Sequence, residues 1–299
     1  MTDFAHGPST IRLGDLEVPR LGYGAMQIPG PMVWGEPRDP VRVRQVLRRV
    51  VDLGIRLIDT SWYYGPLVAN RFIRETLHPY PKDLVLVTKL GGKRTPDKGW
   101  APALDPAELS RGCDEDLRTL KLERVDLVHL RWIEPSDVPF KESLDAVIEL
   151  KRRGKVRHIG LSNVTLAQLR EATERTTIVS VQNLYSVAAG ERHVDIPGME
   201  VAGQEELLDR CTKDGIVFFP FFSLALPFGP KRDAPVIATI ARAHGATQSQ
   251  VALAWSLARS PMMLPIPGTS SHEHLEENWN ARTLRLSQDE IARISAART

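Results

Sequence analysis

Eight short apolar segments recur along this chain, separated by longer segments of helical character, and this alternation constrains the fold more than any other feature. Short apolar runs bounded by turn residues are typical of strands buried on both faces. Strands that alternate with helices predict an α/β fold, and eight such units predict a (β/α)8 TIM barrel whose site lies at the carboxyl ends of the strands. The predicted strands span residues 21–26, 56–59, 84–88, 125–132, 158–162, 178–182, 216–221 and 263–267.

The predicted helices lie between these strands and carry recognisable end signals. Asp39 and Asp105 each precede a proline. An aspartate can cap the N-terminus of a helix, and proline suits the first helical position. Gly54 ends the first helix. Segments 11–13 and 17–19 flank a Gly-Asp turn, which predicts a hairpin. The helices are predicted over residues 40–53, 105–120, 140–153, 165–175, 205–213, 235–244 and 249–259.

Length and composition favour one globular domain over residues 1–299, with 42% hydrophobic and 25% charged residues. A net charge of +2 with interspersed signs gives no basis for binding nucleic acid or a membrane surface. No apolar run is long enough to span a bilayer and no signal peptide is visible, so we expect a cytoplasmic protein, a monomer or a weak homo-oligomer. Cys113 and Cys211 are expected to be reduced thiols, and no metal site is predicted.

A candidate acid site spans two of the predicted strands. Asp59 ends one apolar run, Tyr64 follows in the next turn, and Lys89 ends the next run. A phenol is a poor acid at neutral pH because its reference pKa is about 10, and a nearby cation lowers that pKa. If the two strands are neighbours, Asp59 orients Lys89, Lys89 lowers the pKa of Tyr64, and the phenol becomes a general acid.

Seven motifs occur in a fixed order along nearly the whole chain. They are Gly22-Tyr23-Gly24-Ala25-Met26, Asp59 to Gly65, Thr88-Lys89, Ile159 to Asn163, Val181-Gln182-Asn183, Pro265 to Thr269 and His274 to Asn278. In this order they resemble the aldo-keto reductases. The resemblance implies a barrel whose bottom is capped by the N-terminal hairpin, and an oxidoreductase that transfers a hydride between NADPH and a small-molecule aldehyde or ketone. A Gly-x-Gly-x-x-Gly fingerprint after a strand is absent, so a Rossmann domain is not supported.

The same resemblance implies a set of cofactor-binding residues. Ser162, Asn163 and Gln182 would hold the nicotinamide carboxamide, since neutral polar side chains suit an amide. The alternative for Ser162 and Asn163 is that they mark the turn into the next helix, where such residues are common. Phe221 would stack on the nicotinamide where many relatives have a tyrosine, and Phe222 suits stacking or core packing equally. Further residues implied by the pattern are Gly24, Ala25, Met26, Asp59, Leu224, Gly268, Thr269, Ser270, His274, Glu277 and Asn278.

The adenosine end of the cofactor would meet residues 268–278, which contain no Lys or Arg. The family pattern implies NADP(H) rather than NAD(H), and this fold commonly binds phosphate after its last two strands. Ser270 and His274 are the obvious groups for a 2′-phosphate. Lys231 and Arg232, in the preceding loop, either add charge there or form a solvated basic pair.

Residue 131 is the sharpest departure from the family pattern. Most relatives place a histidine directly before Trp132, where this chain has Arg131. Side chains alternate along a strand, so His129 lies on the same face, one layer deeper, where we expect a satisfied interior histidine. Arg131 can stabilise an alkoxide but cannot release a proton near neutral pH. The alternative for Arg131 is a structural ion pair with Glu134 or Asp59.

Aromatic side chains in the predicted mouth loops indicate a flat or cyclic carbonyl substrate. Trp34, Trp100 and Trp132 are the candidate substrate-binding residues beside Tyr64, with packing under loops as the alternative. The Gly-Pro-x-x-Trp-Gly element at residues 30–35 and the Leu-Arg pair before Trp132 are similar to a bacterial subgroup that includes pyridoxal reductases. This similarity suggests a pyridoxal-like aldehyde as one candidate substrate.

Two other functions stay open from the sequence. One is the same fold acting on a C=N or C–N bond or an oxidised ring, with Arg131 tuning a different reaction. The other is a cofactor-binding regulatory subunit without catalysis, which the intact Asp59, Tyr64 and Lys89 argue against.

Overall fold

Parallel pairing of the predicted strands builds the barrel in the computed structural model, which describes residues 8–187, 204–224 and 235–298. The strands are β1 (Thr10–Leu13), β2 (Leu16–Pro19), β3 (Tyr23–Gly24), β4 (Leu57–Asp59), β5 (Val85–Arg94), β6 (Trp100–Ala103), β7 (Val125–Arg131), β8 (Val156–Ser162), β9 (Ile178–Leu184) and β10 (Val217–Phe221). The helices are α1 (Pro40–Asp52), α2 (Val68–Leu77), α3 (Pro106–Leu120), α4 (Phe140–Arg152), α5 (Leu166–Arg175), α6 (Gln204–Asp214), α7 (Pro235–His244), α8 (Gln248–Arg259), α9 (His272–Asn280) and α10 (Gln288–Ala296).

The barrel wall runs in the order β10-β9-β8-β7-β5-β4-β3, each strand parallel to its neighbour. Residues 263–267, predicted as the eighth strand, bridge the two edges of this sheet. Leu264 N–H donates to Phe218 O on β10 (2.8 Å), and Gly22 N–H donates to Pro265 O on the other side (2.9 Å). The segment is extended but is not a regular strand, because Pro265 and Pro267 have no N–H for a ladder. The (β/α)8 barrel is confirmed.

The N-terminal hairpin of β1 and β2 closes the bottom of the barrel, as the resemblance implied. Its apolar side chains Ile11, Leu13 and Val18 pack into one buried cluster with interior residues of the barrel strands. The turn between its strands also binds the start of β8, where Asp15 accepts a hydrogen bond from His158 (2.6 Å). Burial of this apolar face stabilises the end of the barrel away from the strands' carboxyl ends.

Four elements were missed by the sequence analysis: α2, α9, α10 and β6. Helix α2 follows Leu67, whose φ is 62° and whose side chain makes no cap, so the sequence carries no start signal there. α10 does have such a signal, a capping box made by Ser287 and Glu290. Strand β6 lies in the predicted loop 90–103 and pairs antiparallel with the part of β5 that continues beyond Lys89.

Two further observations concern the cysteines and the length of the helices. Cys113 and Cys211 are free and buried, as expected. Within the part of the chain that the structure describes, none of the helices is long and apolar enough to cross a membrane.

Candidate active site

Adjacent strands bring Asp59, at the end of β4, and Lys89, in the middle of β5, together. β4 pairs with β5, so Asp59 at the end of β4 lies beside Val87, two residues before Lys89. The ammonium of Lys89 donates to Asp59 Oδ1 and to Thr60 O (3.1 Å), and each side chain is only 3% exposed. Gln182 Nε2 donates to the other carboxylate oxygen (2.8 Å). Each partner of the buried ion pair therefore makes a further hydrogen bond outside the pair, which helps such a pair to be tolerated in an interior.

Tyr64 lies against this pair, with its ring centroid 5.0 Å from Lys89 Nζ. Burial raises the pKa of Tyr64 above the ordinary value of a phenol, the carboxylate of Asp59 raises it further, and the guanidinium of Arg131 lowers it. The pKa of Tyr64 is therefore raised on balance, whereas the sequence analysis expected a lowered one; the effect of Lys89 itself stays a prediction. Lys89 touches Asp59, whose negative charge offsets its own, and the phenol lies in a buried position.

Arg131 ends β7 beside Ser162 and Phe221. One guanidinium N–H group donates to Ser162 Oγ (3.0 Å), and the guanidinium carbon lies 5.0 Å from the centroid of the Phe221 ring. Neither ion pair suggested by the sequence forms. Glu134 accepts a hydrogen bond from the indole of Trp132 instead (2.9 Å). Among the residues that the structure describes, no carboxylate forms an ion pair with Arg131.

His129 lies in the barrel interior, as expected, but it is not fully satisfied there, because its Nδ1 has no hydrogen-bond partner among the described residues. The side chain is fully buried, its Nε2 lies 2.9 Å from Ser180 Oγ, and its ring meets Phe219 edge-on at 5.1 Å. Burial, followed by the charges of Lys89 and Arg131, holds the pKa of His129 well below its ordinary value. The imidazole is therefore neutral at physiological pH.

A cleft of about 230 Å³ opens above the Asp59–Tyr64 pair. Of the predicted site residues, it is lined by Gly24, Met26, Asp59, Tyr64, Gln182, Phe221, Phe222, Leu224 and Gly268. Sequence reasoning missed Gln27, Ser223, Ile266 and Pro267; Ile266 lies two positions before Gly268, and the other three directly adjoin a residue that it did find. A Cβ on Gly268 would lie 2.6 Å from Gly24 O, so glycine is required where these two backbone segments meet.

The cleft suits one end of a nicotinamide dinucleotide. Gln182 supplies an amide group, Phe221 an aromatic face, and Gly24 and Gly268 a backbone without side chains. Ser162 and Asn163, predicted to hold the carboxamide beside Gln182, do not line this cleft. Ser162 accepts from Arg131, and the amide nitrogen of Asn163 donates to Trp132 O (2.8 Å). Ala25 is buried and also lies outside the lining.

The segment predicted to meet the adenosine begins α9. Ser271 Oγ accepts from the backbone N–H of His274 (3.4 Å) and so caps the helix, whose N-terminus is a site suited to phosphate. Ser270 and His274 are exposed, Glu277 is partly buried, and Thr269 and Asn278 are buried. The carbonyl oxygen of Thr269 accepts from the Tyr23 hydroxyl (2.7 Å). Lys231 and Arg232 lie outside the described residues.

Two of the three predicted tryptophans lie at the rim, beside the turn that carries Tyr64, although neither of them lines the cleft. Trp34 forms a parallel bridge with Gly65, the residue after Tyr64. Trp100, 45% exposed, packs edge-on against Tyr63 at 5.7 Å. Trp132 is buried against Phe140 and does not line the cleft, which supports the packing alternative for that residue.

Arg94 joins Trp34 to Trp100 and was missed by the sequence analysis. Its guanidinium carbon lies 4.1 Å from the Trp100 ring centroid and 5.3 Å from that of Trp34. The same group donates to the carbonyls of Met32 (3.0 Å) and Val33 (2.7 Å) on one loop. It also donates to two carbonyls of the β5–β6 turn, those of Lys98 (2.6 Å) and Gly99 (3.0 Å). Backbone carbonyls leave no trace in a sequence pattern, so no signal pointed to this residue.

The chain resembles proteins of one family along nearly its whole length. The sequence profile of the aldo/keto reductase family matches residues 20–299. Pyridoxine 4-dehydrogenase of Escherichia coli is 43% identical over 291 residues, which cover 96% of this chain and 97% of that protein. An uncharacterised oxidoreductase of Schizosaccharomyces pombe is 36% identical over 95% of this chain and 88% of its own length.

Solved structures agree with the sequence comparison. A thermostable aldo-keto reductase bound to the inhibitor epalrestat superposes with a TM-score of 0.80 at 28% identity, covering 96% of this chain and 99% of its own. An aldo/keto reductase from Klebsiella pneumoniae, solved with NADP and acetate, superposes with a TM-score of 0.75 at 26% identity over 97% and 95% of the two chains. The shared region contains both the barrel and the cleft.

Proposed function

Because this chain belongs to the aldo/keto reductase family, we propose that it is an NADP-dependent reductase of an aromatic aldehyde of the pyridoxal type. The observation that carries the proposal is the placement of Tyr64 against the buried Asp59–Lys89 pair, at the floor of a cleft lined for a nicotinamide.

The cofactor assignment is supported by the cleft and by the relatives. Gln182, Phe221 and Gly268 would hold the nicotinamide end, and the N-terminus of α9 would meet a phosphate. Bound NADPH supplies a hydride from nicotinamide C4. The Klebsiella pneumoniae structure contains NADP, and a further relative from Schizosaccharomyces pombe is an NADP(+) aldo-keto reductase. Helix N-terminal N–H groups offset part of the missing basic charge in residues 268–278.

Tyr64 donates the proton in the proposed reaction. Its raised pKa keeps the phenol protonated at neutral pH, so a proton is available for the more basic alkoxide that forms as the carbonyl carbon is reduced. Lys89 is held by Asp59 and fixes the position of the phenol ring. Arg131, at the edge of the same site, stabilises the developing negative charge on the oxygen.

The substrate class follows from the rim and from the most informative relative. Trp34 and Trp100 offer aromatic rings near Tyr64, which suit a flat ring. The relative at 43% identity is a pyridoxine 4-dehydrogenase, whose name places its chemistry on a substituted pyridine ring. We infer that this chain reduces a ring aldehyde of the same kind.

NADPH oxidation against a panel of carbonyl compounds and imines tests the proposal. We expect pyridoxal and other aromatic aldehydes to be reduced faster than aliphatic aldehydes, ketones or imines, and NADPH to be used in preference to NADH. Reduction of imines alone would contradict carbonyl specificity. Tight NADPH binding without turnover of any compound would identify a regulatory subunit instead.

A further inference from the structure

Arg131 places a positive charge at the site that no described carboxylate neutralises by an ion pair. Lys89, the other cation of the site, is in contact with Asp59, whereas Arg131 donates a hydrogen bond to a neutral hydroxyl, that of Ser162. The Arg131 side chain is only partly buried; it does not itself line the cleft, but it lies against Phe221, which does. A cation in this position is a binding site for an anionic group of the substrate.

The shape of the guanidinium limits which anionic groups of a substrate Arg131 can bind well. It is a planar fork of five N–H groups, and two parallel N–H bonds match two oxygens that lie in one plane. One N–H of Arg131 is used by Ser162, and among the described residues the other N–H groups have no hydrogen bond. Phe221 packs against the guanidinium at 5.0 Å and so helps to fix its plane. The substrate should therefore present two coplanar oxygens, one of them negative.

A histidine in this position would discriminate less between carbonyl substrates. A neutral imidazole offers one N–H, which is enough for the oxygen of a simple carbonyl. Arginine adds a second donor in the same plane and a permanent charge. A benzaldehyde presents only its carbonyl oxygen to that fork. An aromatic aldehyde with an ionised hydroxyl on the adjacent ring carbon presents the carbonyl oxygen and a phenolate oxygen side by side.

We propose that Arg131 binds both oxygens of an aromatic aldehyde with an ionised hydroxyl group ortho to the aldehyde, and that this oxygen pair defines the substrate class. This inference rests on the proposed function, because it assigns the substrate of the same site. In the reaction, the carbonyl carbon receives the hydride supplied by NADPH and the carbonyl oxygen receives the proton of Tyr64. The phenolate keeps its charge throughout and stays bound to Arg131.

Positional isomers test the inference without altering the protein. The compounds are 2-hydroxybenzaldehyde, 4-hydroxybenzaldehyde, 2-methoxybenzaldehyde and benzaldehyde. We expect kcat/KM for the 2-hydroxy isomer to exceed that of the 4-hydroxy isomer by about tenfold or more, since one good charge-assisted hydrogen bond contributes about 1.5–3 kcal/mol. The 2-methoxy compound has nearly the same shape without the anion and should behave like benzaldehyde.

Variants at residue 131 then assign the preference to the guanidinium. In Arg131→His and Arg131→Lys we expect the ratio of the two hydroxy isomers to fall to about twofold or less, whatever happens to the absolute rates. Arg111→Met removes another arginine that stacks on an aromatic ring, that of Trp62, but on the exposed face of α3, and should keep the wild-type ratio. Fluorescence quenching by 2- and 4-hydroxybenzyl alcohol, with NADPH bound, should show the same preference in dissociation constants.

The outcomes separate the two proposals. If wild-type protein reduces both hydroxy isomers with NADPH at equal kcat/KM, the ortho-oxygen assignment is overturned and the proposed function stands. If the preference exists but survives unchanged in Arg131→His and Arg131→Lys, the assignment to Arg131 is overturned. If no carbonyl compound is reduced, the proposed function is contradicted, and so is this inference, because it rests on that function.

Discussion

The floor of the site and its rim are built in opposite ways. The floor consists of Asp59, Lys89 and Tyr64, which are buried and come from two adjacent strands and the turn that follows the first of them. The rim consists of Trp34, Arg94 and Trp100, which come from two loops, with Trp100 45% exposed. At the floor, the ammonium of Lys89 forms an ion pair with the carboxylate of Asp59. At the rim, the guanidinium of Arg94 instead contacts backbone carbonyls and aromatic rings.

The contrast shows where the rigidity of each region comes from. Parallel strands hold the floor through ladder hydrogen bonds on both sides. The rim loop contains Met32 and Val33 with φ of 60° and 56°, a conformation that is unfavourable for a β-branched residue. Arg94 binds the carbonyls of both residues and so offsets part of that cost. Under the proposed function, the floor would carry out the reaction and the rim would select the ring that reaches it.

The largest effect should come from the floor. Tyr64→Phe keeps the ring against Lys89 and removes the proton that the alkoxide requires. We expect kcat to fall by roughly two or more orders of magnitude, as loss of a general acid does, with NADPH affinity nearly unchanged. Single-turnover hydride transfer and an NADPH fluorescence titration measure the two quantities. Turnover near the wild-type rate at neutral pH would remove Tyr64 as the acid.

Arg131 stands between the floor and the rim, and its loss should be the next largest effect. Arg131→Met keeps much of the length and removes the donors. If the charge acts in the transition state, kcat and kcat/KM should fall together by about ten- to a thousandfold while the melting temperature is kept. A lower melting temperature with normal turnover would instead indicate a structural role, through the hydrogen bond to Ser162.

A change at the rim should affect substrate binding and spare the chemistry. Arg94→Met removes the link between the two loops. We expect KM for an aromatic aldehyde to rise by about three- to tenfold with kcat within about twofold, because the rim loses its preformed shape. KM for a small aliphatic aldehyde and the affinity for NADPH should not change, and Arg111→Met serves as the control. An equal loss of kcat for every substrate would contradict the separation of floor from rim.

The smallest effect concerns a buried support beneath the floor. Asn70 donates to Asp116 on α3 (2.7 Å) and accepts from the Thr60 hydroxyl (2.8 Å), and Thr60 O accepts from Lys89. Burial raises the pKa of Asp116 from 3.8 to about 7. The folded protein then binds a proton more tightly than the unfolded chain between about pH 4 and pH 7, so this group's contribution to stability is lost as pH rises through that range.

Urea unfolding at several pH values measures that contribution. Asp116→Asn cannot ionise, so its free energy of unfolding should fall less than that of the wild type between pH 5 and pH 7.5. Parallel curves for the two proteins would show that Asp116 does not titrate in this range. Activity at constant pH should change less than in any of the variants above, since Asp116 lies behind Asn70 and Thr60.

Much of the barrel was predictable because it depends on local patterns and on chain order. Strand β4 and strand β5 are consecutive in the barrel wall, and consecutive units of a (β/α)8 barrel lie side by side. The meeting of Asp59 and Lys89 followed from that rule alone. The hairpin of β1 and β2 was predictable in the same way, from alternating residues around a Gly-Asp turn.

Helix α2 and strand β6 were beyond such reasoning. α2 starts without a capping side chain, and β6 contains Pro102 and pairs with a continuation of β5 that includes two glycines. Their structure is imposed by the neighbours against which they pack, and tertiary contacts of this kind override local propensity.

The sequence by itself determined the barrel, the order of its strands and the identity of the residues at the floor, because short-range periodicity and chain order decide these features. Only the tertiary structure decided three other features. These are the raised pKa of Tyr64, the neutral hydrogen-bond partner of Arg131 and the link that Arg94 makes between two loops. Each of these depends on burial and on contacts between residues far apart in the chain, such as the 62 positions that separate Arg94 from Met32. Burial and distance in space are properties of the folded molecule, and no pattern along the chain encodes them directly.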